Sequence, residues 1–453
     1  MKQAIVFFLL LCFCPALMAQ KKGWHSLFDG KTLNGWQQVA GTAKYTVEDG
    51  AIVGTTVPGS PNTFLITEKT YGDFILELEV KIEDSSSNSG IQFRSHYDAA
   101  ANKGKGKVYG YQYELDPSAR RWTAGIYDEG RRDWLYPLSL NPSAQDRLEV
   151  GVYNRVRVQC MGETIKTWIN DKPAACLIDR ADASGFIALQ VHSISKASMA
   201  GKRIWWKNIR IRTGHFEPLP FPASIYAVNT IPNTLTFFEK AGGWKLLFDG
   251  KSADGWKGAY KNEFPAKGWE IKDGILGVLP SDGAESTNGG DIVTTAQFGA
   301  FDLSFEFKLT PGANSGVKYF VTLAENNSGS AIGLEYQLLD DTLHPDAKLG
   351  REGNRTLASL YDLIKAEKQS RFIHQPGEWN WGRIVVYPNN HVEHYLNGIK
   401  VLEYDRGSAA FRGLVAISKY KVWPNFGEAP KGHILLQDHG NAVQFRSIKI
   451  KEL

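Results

Sequence analysis

Hydrophobic and polar side chains alternate along the long apolar stretches of this chain. In residues 74–82 the alternate positions Phe74, Leu76, Leu78, Val80 and Ile82 are apolar, and the positions between them carry Ile, Glu, Glu and Lys. A period of two is the spacing of side chains along a β-strand. Similar strand-length segments recur between Gly, Asn, Asp and Pro, and no long segment has helical periodicity. The pattern predicts an all-β chain.

An internal repeat divides the chain. The sequence Gly-Trp-x-x-Leu-Phe-Asp-Gly-Lys occupies residues 23–31 and again residues 243–251, and later matches keep the same order. Asn-Ser-Gly at 88–90 corresponds to 314–316, and residues 187–192 correspond to 434–439. Solenoid repeats are only about 20–50 residues long, whereas each unit here has the size of a globular domain. The repeat indicates duplication of a whole domain.

The predicted organisation has four parts: a signal peptide at residues 1–19, a first domain at 21–213, a linker at 214–242 and a second domain at 243–453. The linker contains Pro218, Pro220, Pro222 and Pro232, so we expect it to be extended and stiff, with a short helix before the second domain. Alternating strands over a domain of this length suit an antiparallel β-sandwich, and each copy is predicted to be a jelly roll.

The first nineteen residues predict export. Lys2 precedes an apolar run at residues 4–11 and a small-residue region at 16–19, which is the arrangement of a signal peptide. We expect a periplasmic or extracellular protein. Lipidation at Cys12 or Cys14 is the alternative, disfavoured by the large residues that precede each cysteine. No stretch approaches the roughly 20 apolar residues that a membrane span needs.

Composition and the absence of certain motifs in the sequence limit the classes of partner and of site that the chain is expected to have. The chain has 52 Lys and Arg against 48 Asp and Glu, a balance that disfavours nucleic acid as a partner. Of its 4 cysteines, Cys160 and Cys176 would remain after export, which excludes a disulfide scaffold and predicts two buried thiols. No phosphate-binding loop, dinucleotide-binding turn or Gly-x-Ser-x-Gly motif is present. His391 and His394 would point to opposite faces of a strand, which disfavours a zinc site.

Alternation also groups polar side chains on one predicted sheet face of each copy. In the first copy these are Gln92, Arg94, Gln112, Glu114, Gln190 and His192, and in the second they are Lys318, Glu335, Gln337, Gln437 and His439. Each copy therefore offers a carboxylate, amides, a histidine and a cation. Polar residues on a solvent-facing sheet, kept after a recent duplication, are the competing interpretation. The extensive divergence elsewhere between the copies argues for function.

Several motifs together resemble the 3-keto-disaccharide hydrolase family. They are the repeated domain start, Gly-Leu-Glu-Tyr-Gln at 333–337, Glu-His-Tyr-Leu-Asn-Gly at 393–398 and Leu-Gln-Asp-His-Gly at 436–440. The resemblance covers nearly all of the predicted mature chain, once per copy, and implies a concanavalin-like jelly roll. The first copy departs from it, with Val191 and Ser193 where the second has Asp438 and Gly440. The two pockets are therefore expected to differ, and one copy could serve only for binding.

The resemblance implies cleavage of a glycosidic bond in a sugar oxidised at C3. The ketone acidifies the C2 proton, so that a base can start an elimination that water addition completes. We assign His192 and His439 as acid/base residues, Glu114 and Glu335 as partner carboxylates, and Arg94 and Lys318 as enolate stabilisers. The expected substrate-binding residues are Gln92, Gln112, Gln190, Gln337, Gln437, Tyr127, Tyr361 and His394, the two tyrosines being reserve catalytic candidates.

Other functions stay open. A glycosidase with two carboxylates would need a pair such as Glu114 and Asp116, but the second copy has Gln337 in place of Glu114. A secreted, non-catalytic carbohydrate-binding protein is the main alternative, because the same sandwich serves lectins. A structural role in surface assembly is a more distant one. No cofactor is required, although a divalent metal is an alternative to the enolate-stabilising cation.

Overall fold

The computed structural model describes residues 23–281, 285–324 and 331–453. The predicted signal peptide, with its lipidation alternative, lies outside the described residues. Each copy of the repeat forms its own pair of packed sheets. Among the residues described, no helix is both long enough and apolar enough to cross a lipid bilayer.

The first domain is built from short strands. They are β1 (Trp24–Ser26), β2 (Trp36–Val39), β3 (Lys44–Glu48), β4 (Ala51–Thr55), β5 (Thr63–Thr67), β6 (Phe74–Ile82), β7 (Ser89–Asp98), β8 (Lys107–Leu115), β9 (Ile126–Glu129), β10 (Asp133–Tyr136), β11 (Asn154–Met161), β12 (Thr164–Ile169), β13 (Lys172–Ile178), β14 (Phe186–Val191) and β15 (Arg203–Arg212). One sheet has the order β13-β12-β11-β6-β15-β4-β3, with β1 beside β15, and the other the order β10-β9-β8-β7-β14-β5-β2.

The second domain repeats this plan. Its strands are β17 (Trp244–Leu246), β18 (Trp256–Gly258), β19 (Trp269–Lys272), β20 (Ile275–Val278), β21 (Ile292–Thr294), β22 (Phe301–Leu309), β23 (Asn314–Thr322), β24 (Ile332–Leu339), β25 (Asn380–Val386), β26 (His391–Leu396), β27 (Ile399–Asp405), β28 (His433–Leu436) and β29 (Val443–Glu452). The order of one sheet is β19-β20-β29-β22-β25-β26-β27, with β17 beside β29, and that of the other is β18-β21-β28-β23-β24.

Helices are short and lie in the connections. The α-helices are α1 (Ala101–Gly104), α2 (Phe237–Ala241) and α3 (Ala409–Ala416), and the 3-10 helices are Leu138–Leu140, Pro142–Ala144, Ala197–Met199, Pro345–Lys348, Ser370–Phe372 and Lys419–Val422. In the linker, β16 (Ala227–Asn229) pairs in parallel with β13. Helix α2 begins with a capping box, in which the Thr236 hydroxyl accepts from the Glu239 amide and the Glu239 carboxylate accepts from the Thr236 amide.

The alternation on β6 places its apolar side chains in the core. Phe74, Leu76, Leu78, Val80 and Ile82 are all buried in the first sandwich, while the glutamates between them are half-buried on the other face. Pairing within each domain is antiparallel. The prediction of two tandem antiparallel β-sandwich domains is therefore confirmed. Cys160 and Cys176 are buried and free, as predicted.

A β-bulge interrupts the same strand in both copies. The register of β7 against β8 shifts after Phe93, and that of β23 against β24 shifts after Tyr319. At each bulge one residue adopts positive φ, 47° at Arg94 and 51° at Phe320. A bulge adds a residue to one strand and reverses the side-chain alternation beyond it. Residues before the bulge therefore keep their predicted face, and Arg94 does not.

The two sandwiches contact each other through the linker and through loops. The Tyr226 ring stacks on the Trp381 ring with a centroid distance of 5.8 Å, and the Arg383 guanidinium lies 4.2 Å from the Tyr226 ring. Lys449 on β29 forms a buried ion pair with Glu239 of helix α2. This pair joins the linker helix to the second domain.

Breaking the buried Lys449–Glu239 pair should destabilise the protein strongly. We expect Lys449→Met to lower the free energy of unfolding by about 3–5 kcal/mol, because Glu239 would be left buried without its cation. Lys245→Met is the matched control: Lys245 pairs with Glu452 at the surface, so its loss should cost less than about 1 kcal/mol. Urea unfolding of both variants measures this. Equal effects would show that the buried pair is not a stabilising contact between the linker and the second domain.

Candidate active sites

Equivalent strands build a polar sheet face in each domain. In the first domain, Gln92 on β7 lies directly across from Gln112 on β8. In the second, Lys318 on β23 lies directly across from Glu335 on β24. All four side chains are at least nine-tenths buried. The duplicated position therefore holds an amide pair in one copy and an ion pair in the other.

A glycine makes room for the side chain at the centre of each face. A Cβ atom at Gly90 would lie 2.3 Å from the amide carbon of Gln112, and one at Gly316 would lie 2.5 Å from a carboxylate oxygen of Glu335. Any larger residue would displace these side chains. The glycine of the Asn-Ser-Gly motif, which is common to both copies, is therefore required by packing at the site.

In the first domain, Glu114 borders a cavity of about 340 Å³. Its carboxylate accepts hydrogen bonds from Asn88 Nδ2 at 2.9 Å and from Gln112 Nε2 at 2.7 Å. Burial raises the pKa of Glu114 to about 7, and these two hydrogen bonds only partly oppose the rise. The cavity is lined by Asn62, Asn88, Gln112, Glu114, Arg120, Tyr127, Glu129, Asp133, Trp134, His192, Arg371 and Phe372.

His192 and Tyr127 contribute to the same cavity. Nδ1 of His192 lies 2.7 Å from the Ser193 carbonyl oxygen, which can only accept, so Nδ1 carries the hydrogen and Nε2 is left as an acceptor in the neutral ring. The Tyr127 hydroxyl donates to Asp133 at 2.6 Å, and burial raises the pKa of Tyr127. Burial also raises the pKa of Glu129, which accepts from Asn62.

In the second domain the central pair is ionic. Nζ of Lys318 lies 4.0 Å from Glu335 and 3.9 Å from Glu285, and it donates to the Ala331 carbonyl at 3.2 Å. Burial raises the pKa of Glu335, although the charge of Lys318 opposes the rise. Burial acts to lower the pKa of Lys318, but the charges of Glu335, Asp291 and Glu285 outweigh it and raise that pKa. Lys318 is therefore a buried ammonium group at neutral pH.

Two histidines lie at one end of this second face. The His439 and His344 ring centroids are 6.2 Å apart, with the rings nearly perpendicular. Burial, and then the charge of His439, lowers the pKa of His344. Among the residues described, Nδ1 of His439 is buried and has no hydrogen-bond partner.

The segment before His439 holds a loop over the site. The Asp438 carboxylate accepts from the backbone amides of Gly289 and Gly290, both at 2.9 Å. Gln437 donates to Glu285 at 2.7 Å, which brings that carboxylate towards Lys318. In the first copy Val191 replaces Asp438, so this carboxylate anchor does not exist there.

Tyr361 and Lys419 complete the second site. The Tyr361 hydroxyl donates to Asp346 at 2.8 Å, and burial raises the pKa of Tyr361. Nζ of Lys419 lies 4.2 Å from the Tyr361 ring. The Gln337 amide lies 3.1 Å from the Glu335 carboxylate. The second site thus combines two lysines, the carboxylates of Glu335 and Glu285, two histidines and a tyrosine.

Comparison with known proteins agrees with the repeat. The family model described as the 3-keto-alpha-glucoside-1,2-lyase-like domain matches residues 23–212 and 243–451. The chain belongs to this family. A 3-keto-disaccharide hydrolase of Bacteroides thetaiotaomicron is 38% identical over 235 residues, covering 47% of this chain and 79% of the relative. At the level of the family, the prediction of a glycoside hydrolase-like enzyme is confirmed.

Solved structures are also similar to part of the chain. A proposed glycosyl hydrolase from Parabacteroides distasonis is 32% identical, with a TM-score of 0.43, and the match covers 49% of this chain and 99% of the other. A carbohydrate-binding module from Bacillus subtilis is 16% identical, with a TM-score of 0.28, over 40% of this chain and 96% of the other.

Two residues that the sequence assigned to these lyase-like sites lie elsewhere. Arg94, beyond the bulge, is buried and binds the carbonyls of Gly72 and Gly162 and the carboxylate of Asp73. It therefore cannot stabilise an enolate beside Glu114. His394 is fully buried between the sheets, where Nε2 meets the Tyr319 hydroxyl at 2.8 Å and burial lowers its pKa to about 4. His394 belongs to the core and does not contact a substrate.

The other predicted residues lie on the expected faces, at different depths. Glu114, Gln112, His192 and Tyr127 line the cavity of the first domain. Gln92 is buried and hydrogen-bonds Gln112. Gln190 is also fully buried, and among the described residues neither its amide oxygen nor its nitrogen has a hydrogen-bond partner.

Sequence reasoning missed several residues of both sites. In the first domain these include Glu129, Arg120 and Trp134, and in the second they include Glu285, His344 and Lys419. Glu129 could have been found, because it follows Tyr127 by two positions on β9 and so shares its face. Trp134 is on the short strand β10 and Lys419 begins a 3-10 helix. Arg120, Glu285 and His344 are on loops, for which strand alternation gives no signal.

The structure offers a possible metal-ligand cluster away from both sites. Among the residues described, the ligand atoms of His391, Glu393 and Glu403 lie within 4.8 Å of one another. They are on β26 and β27, in the sheet opposite the one that carries Glu335. Lys400 already pairs with both glutamates. The cluster therefore does not supply a metal to the candidate active site.

Glu114 should make stability depend on pH. Its pKa rises from 4.5 to about 7 on folding, so the native state binds the proton more tightly than the unfolded chain. The stability that this group contributes is complete below about pH 4.5 and is lost as the pH rises to about 7, by roughly 3 kcal/mol. Glu114→Gln should lack this loss. Urea unfolding at pH 5 and pH 8 compares the two proteins, and identical pH dependence would contradict the assignment.

Proposed function

We propose that the second domain cleaves glycosidic bonds of 3-keto-glycosides by elimination followed by hydration. The observation that carries this proposal is the buried Lys318–Glu335 pair, with His439 in the segment that follows β28, the strand paired with β23. Membership of the lyase-like family and the name of the Bacteroides thetaiotaomicron relative support a keto sugar as substrate. Perturbed ionisable groups gathered on one face are typical of active sites.

Elimination divides the cleavage into proton transfers that these residues can perform. A base removes the C2 proton, and the electron pair is held in an enolate with its oxygen on C3. The C1–O bond then breaks, the leaving oxygen takes a proton, and a C1–C2 double bond forms. Water adds to C1, and a proton returns to C2. The products are the 3-keto sugar and the free leaving group.

His439 and Lys318 have the main roles in this proposal. His439, which is half-buried, takes the C2 proton on its imidazole ring and later returns it. Lys318 donates to the oxygen on C3, where negative charge develops, and a buried ammonium stabilises that charge more strongly than water would. Glu335, the carboxylate of the ion pair, keeps Lys318 in place. The leaving oxygen takes its proton from the reserve donor, the Tyr361 hydroxyl, which recovers a proton from the water that adds to C1.

The first domain provides an internal comparison. It keeps His192 and has a carboxylate at Glu114, but Gln92 and Gln112 occupy the positions of Lys318 and Glu335. Arg94 is bound to backbone carbonyls, and the neutral Gln92 occupies the position of Lys318. The cations that line the first cavity, Arg120 and Arg371, are not on these strands. We therefore assign turnover of the keto sugar to the second domain.

Export is part of the proposed function. Residues 1–19 have the pattern of a signal peptide, and we propose that the protein acts on sugars in the periplasm or outside the cell. Mass spectrometry of the protein from its native host should find an N-terminus near residue 20. A mature chain that still begins at residue 1 would contradict this.

Substitutions at equivalent positions test the catalytic assignment. Lys318→Met should lower kcat on a 3-keto-glucoside by about 100- to 1000-fold, because the enolate loses its cation. Gln92→Met, the matched control in the first domain, should change kcat less than about threefold. His439→Ala should lower kcat by at least about 100-fold, and His192→Ala should not. Product release is measured by chromatography, with the unoxidised parent glucoside and EDTA as parallel arms.

Each alternative has its own outcome in this assay. Loss of activity in His192→Ala but not in His439→Ala would place the chemistry in the first domain. Equal cleavage of the parent glucoside would indicate a glycosidase with two carboxylates. Sugar binding without cleavage of either compound would indicate a carbohydrate-binding protein. Loss of activity in EDTA would indicate that a metal ion stabilises the enolate in place of Lys318.

A further inference from the structure

The cavity in the first domain is not built by that domain alone. Two of its lining residues, Arg371 and Phe372, come from the second domain. They belong to the 3-10 helix Ser370–Phe372, in the longer segment that the second copy carries between β24 and β25. The Phe372 ring lies 5.6 Å from the Trp122 ring, and Phe372 packs against the first core. The second domain therefore supplies a wall of this cavity.

Aromatic rings from both domains, Trp134 and Phe372, line the cavity, and Trp122 packs against both of them. The Trp122 and Trp134 rings meet edge to face at 4.7 Å, and the Arg120 guanidinium lies 5.0 Å from the Trp122 ring. On the side of the second domain, the Arg371 guanidinium lies 4.4 Å from the Phe372 ring. Aromatic faces beside a few convergent polar groups suit a sugar ring, which has apolar C–H faces and polar edges.

The hydrogen-bonding groups favour a hydroxyl-bearing sugar over its ketone. Three acidic side chains, Glu114, Glu129 and Asp133, line the cavity, and an ionised carboxylate can only accept. The donors beside them are already used within the protein: Asn62, Asn88, Gln112 and Tyr127 donate to these acidic groups, Arg120 to Asp116 and Arg371 to Gln369. A hydroxyl at C3 can donate to an ionised carboxylate, whereas a ketone oxygen cannot. The central group of the second site has the opposite hydrogen-bonding character, because the Lys318 ammonium can only donate. The two faces are thus suited to different oxidation states of the sugar.

The cavity also continues between the domains. Asp133 and Trp134 line a second cavity of about 430 Å³, to which Tyr226, Trp379 and Trp381 contribute further rings. Together the two spaces give room for a glycoside of more than one ring. A ligand that extends past Trp134 would contact both domains.

We infer that the first domain carries a separate binding site for unoxidised glycosides of two or more rings, completed by Arg371 and Phe372 of the second domain. This site is distinct from the proposed catalytic face, and binding there does not require turnover. It would hold the unmodified glycan close to the domain that acts on its oxidised form.

Titration calorimetry with maltose tests the inference. The experiment uses the full chain carrying Lys318→Met, so that the proposed catalytic face is disabled. We expect maltose to bind, and its Kd to rise roughly three- to tenfold in Phe372→Leu, which keeps the apolar packing but removes the aromatic face. Arg371→Ala, at an exposed position, should also weaken binding. Phe237→Ala, at the exposed aromatic ring of helix α2, is the control and should leave the Kd unchanged.

The outcomes separate this inference from the proposed catalytic function. Absence of maltose binding, or an unchanged Kd in both Phe372→Leu and Arg371→Ala, would overturn the inferred site. Binding of maltose with its non-reducing ring oxidised at C3 as tightly as maltose itself would also overturn it. None of these results depends on turnover, whereas the catalytic proposal is decided by the turnover of the Lys318 and His439 variants.

Discussion

The chemistry proposed for the second domain depends on one costly interaction, the burial of Lys318 beside Glu335. Two unit charges 4 Å apart attract by about 4 kcal/mol at an effective dielectric constant near 20, while removing each from water costs several kcal/mol. The pair therefore gives little net stability. Its equivalent in the first copy, Gln92 with Gln112, fills the same positions without charge. A pair that folding does not need is best explained by the charge that it presents to a substrate.

Duplication explains how one fold came to offer two different polar faces. Both copies keep the glycine that accommodates the central side chain and the bulge further along the same strand. Both also keep a histidine shortly after the strand that pairs with it, β14 in the first domain and β28 in the second. Relative to these shared features, the carboxylate lies two positions further along its strand in the first copy, at Glu114, than in the second copy, at Glu335. Without Lys318 nearby, burial leaves Glu114 with a pKa of about 7. The same frame thus holds an ammonium that donates in one domain and carboxylates that accept in the other.

Strand periodicity was sufficient to predict the two antiparallel sandwiches and the faces that carry Gln112, Glu114 and Glu335. It failed at Arg94, because a bulge reverses the side-chain alternation there and no residue type in the sequence indicates that bulge. It could not show that His394 lies in the core, since a buried histidine and an exposed one have the same spacing. The wall formed by Phe372 was equally invisible, because contacts between domains depend on packing that has no local pattern.

The most direct test of the central claim is a crystal structure of the full chain with Glu335→Gln, soaked with a 3-keto-glucoside. The account predicts that the keto sugar lies on the second domain, with its C3 oxygen within about 3.2 Å of the Lys318 Nζ atom and C2 facing His439. A keto sugar bound in the first cavity alone, or bound to the second domain with its C3 oxygen away from Lys318, would contradict it.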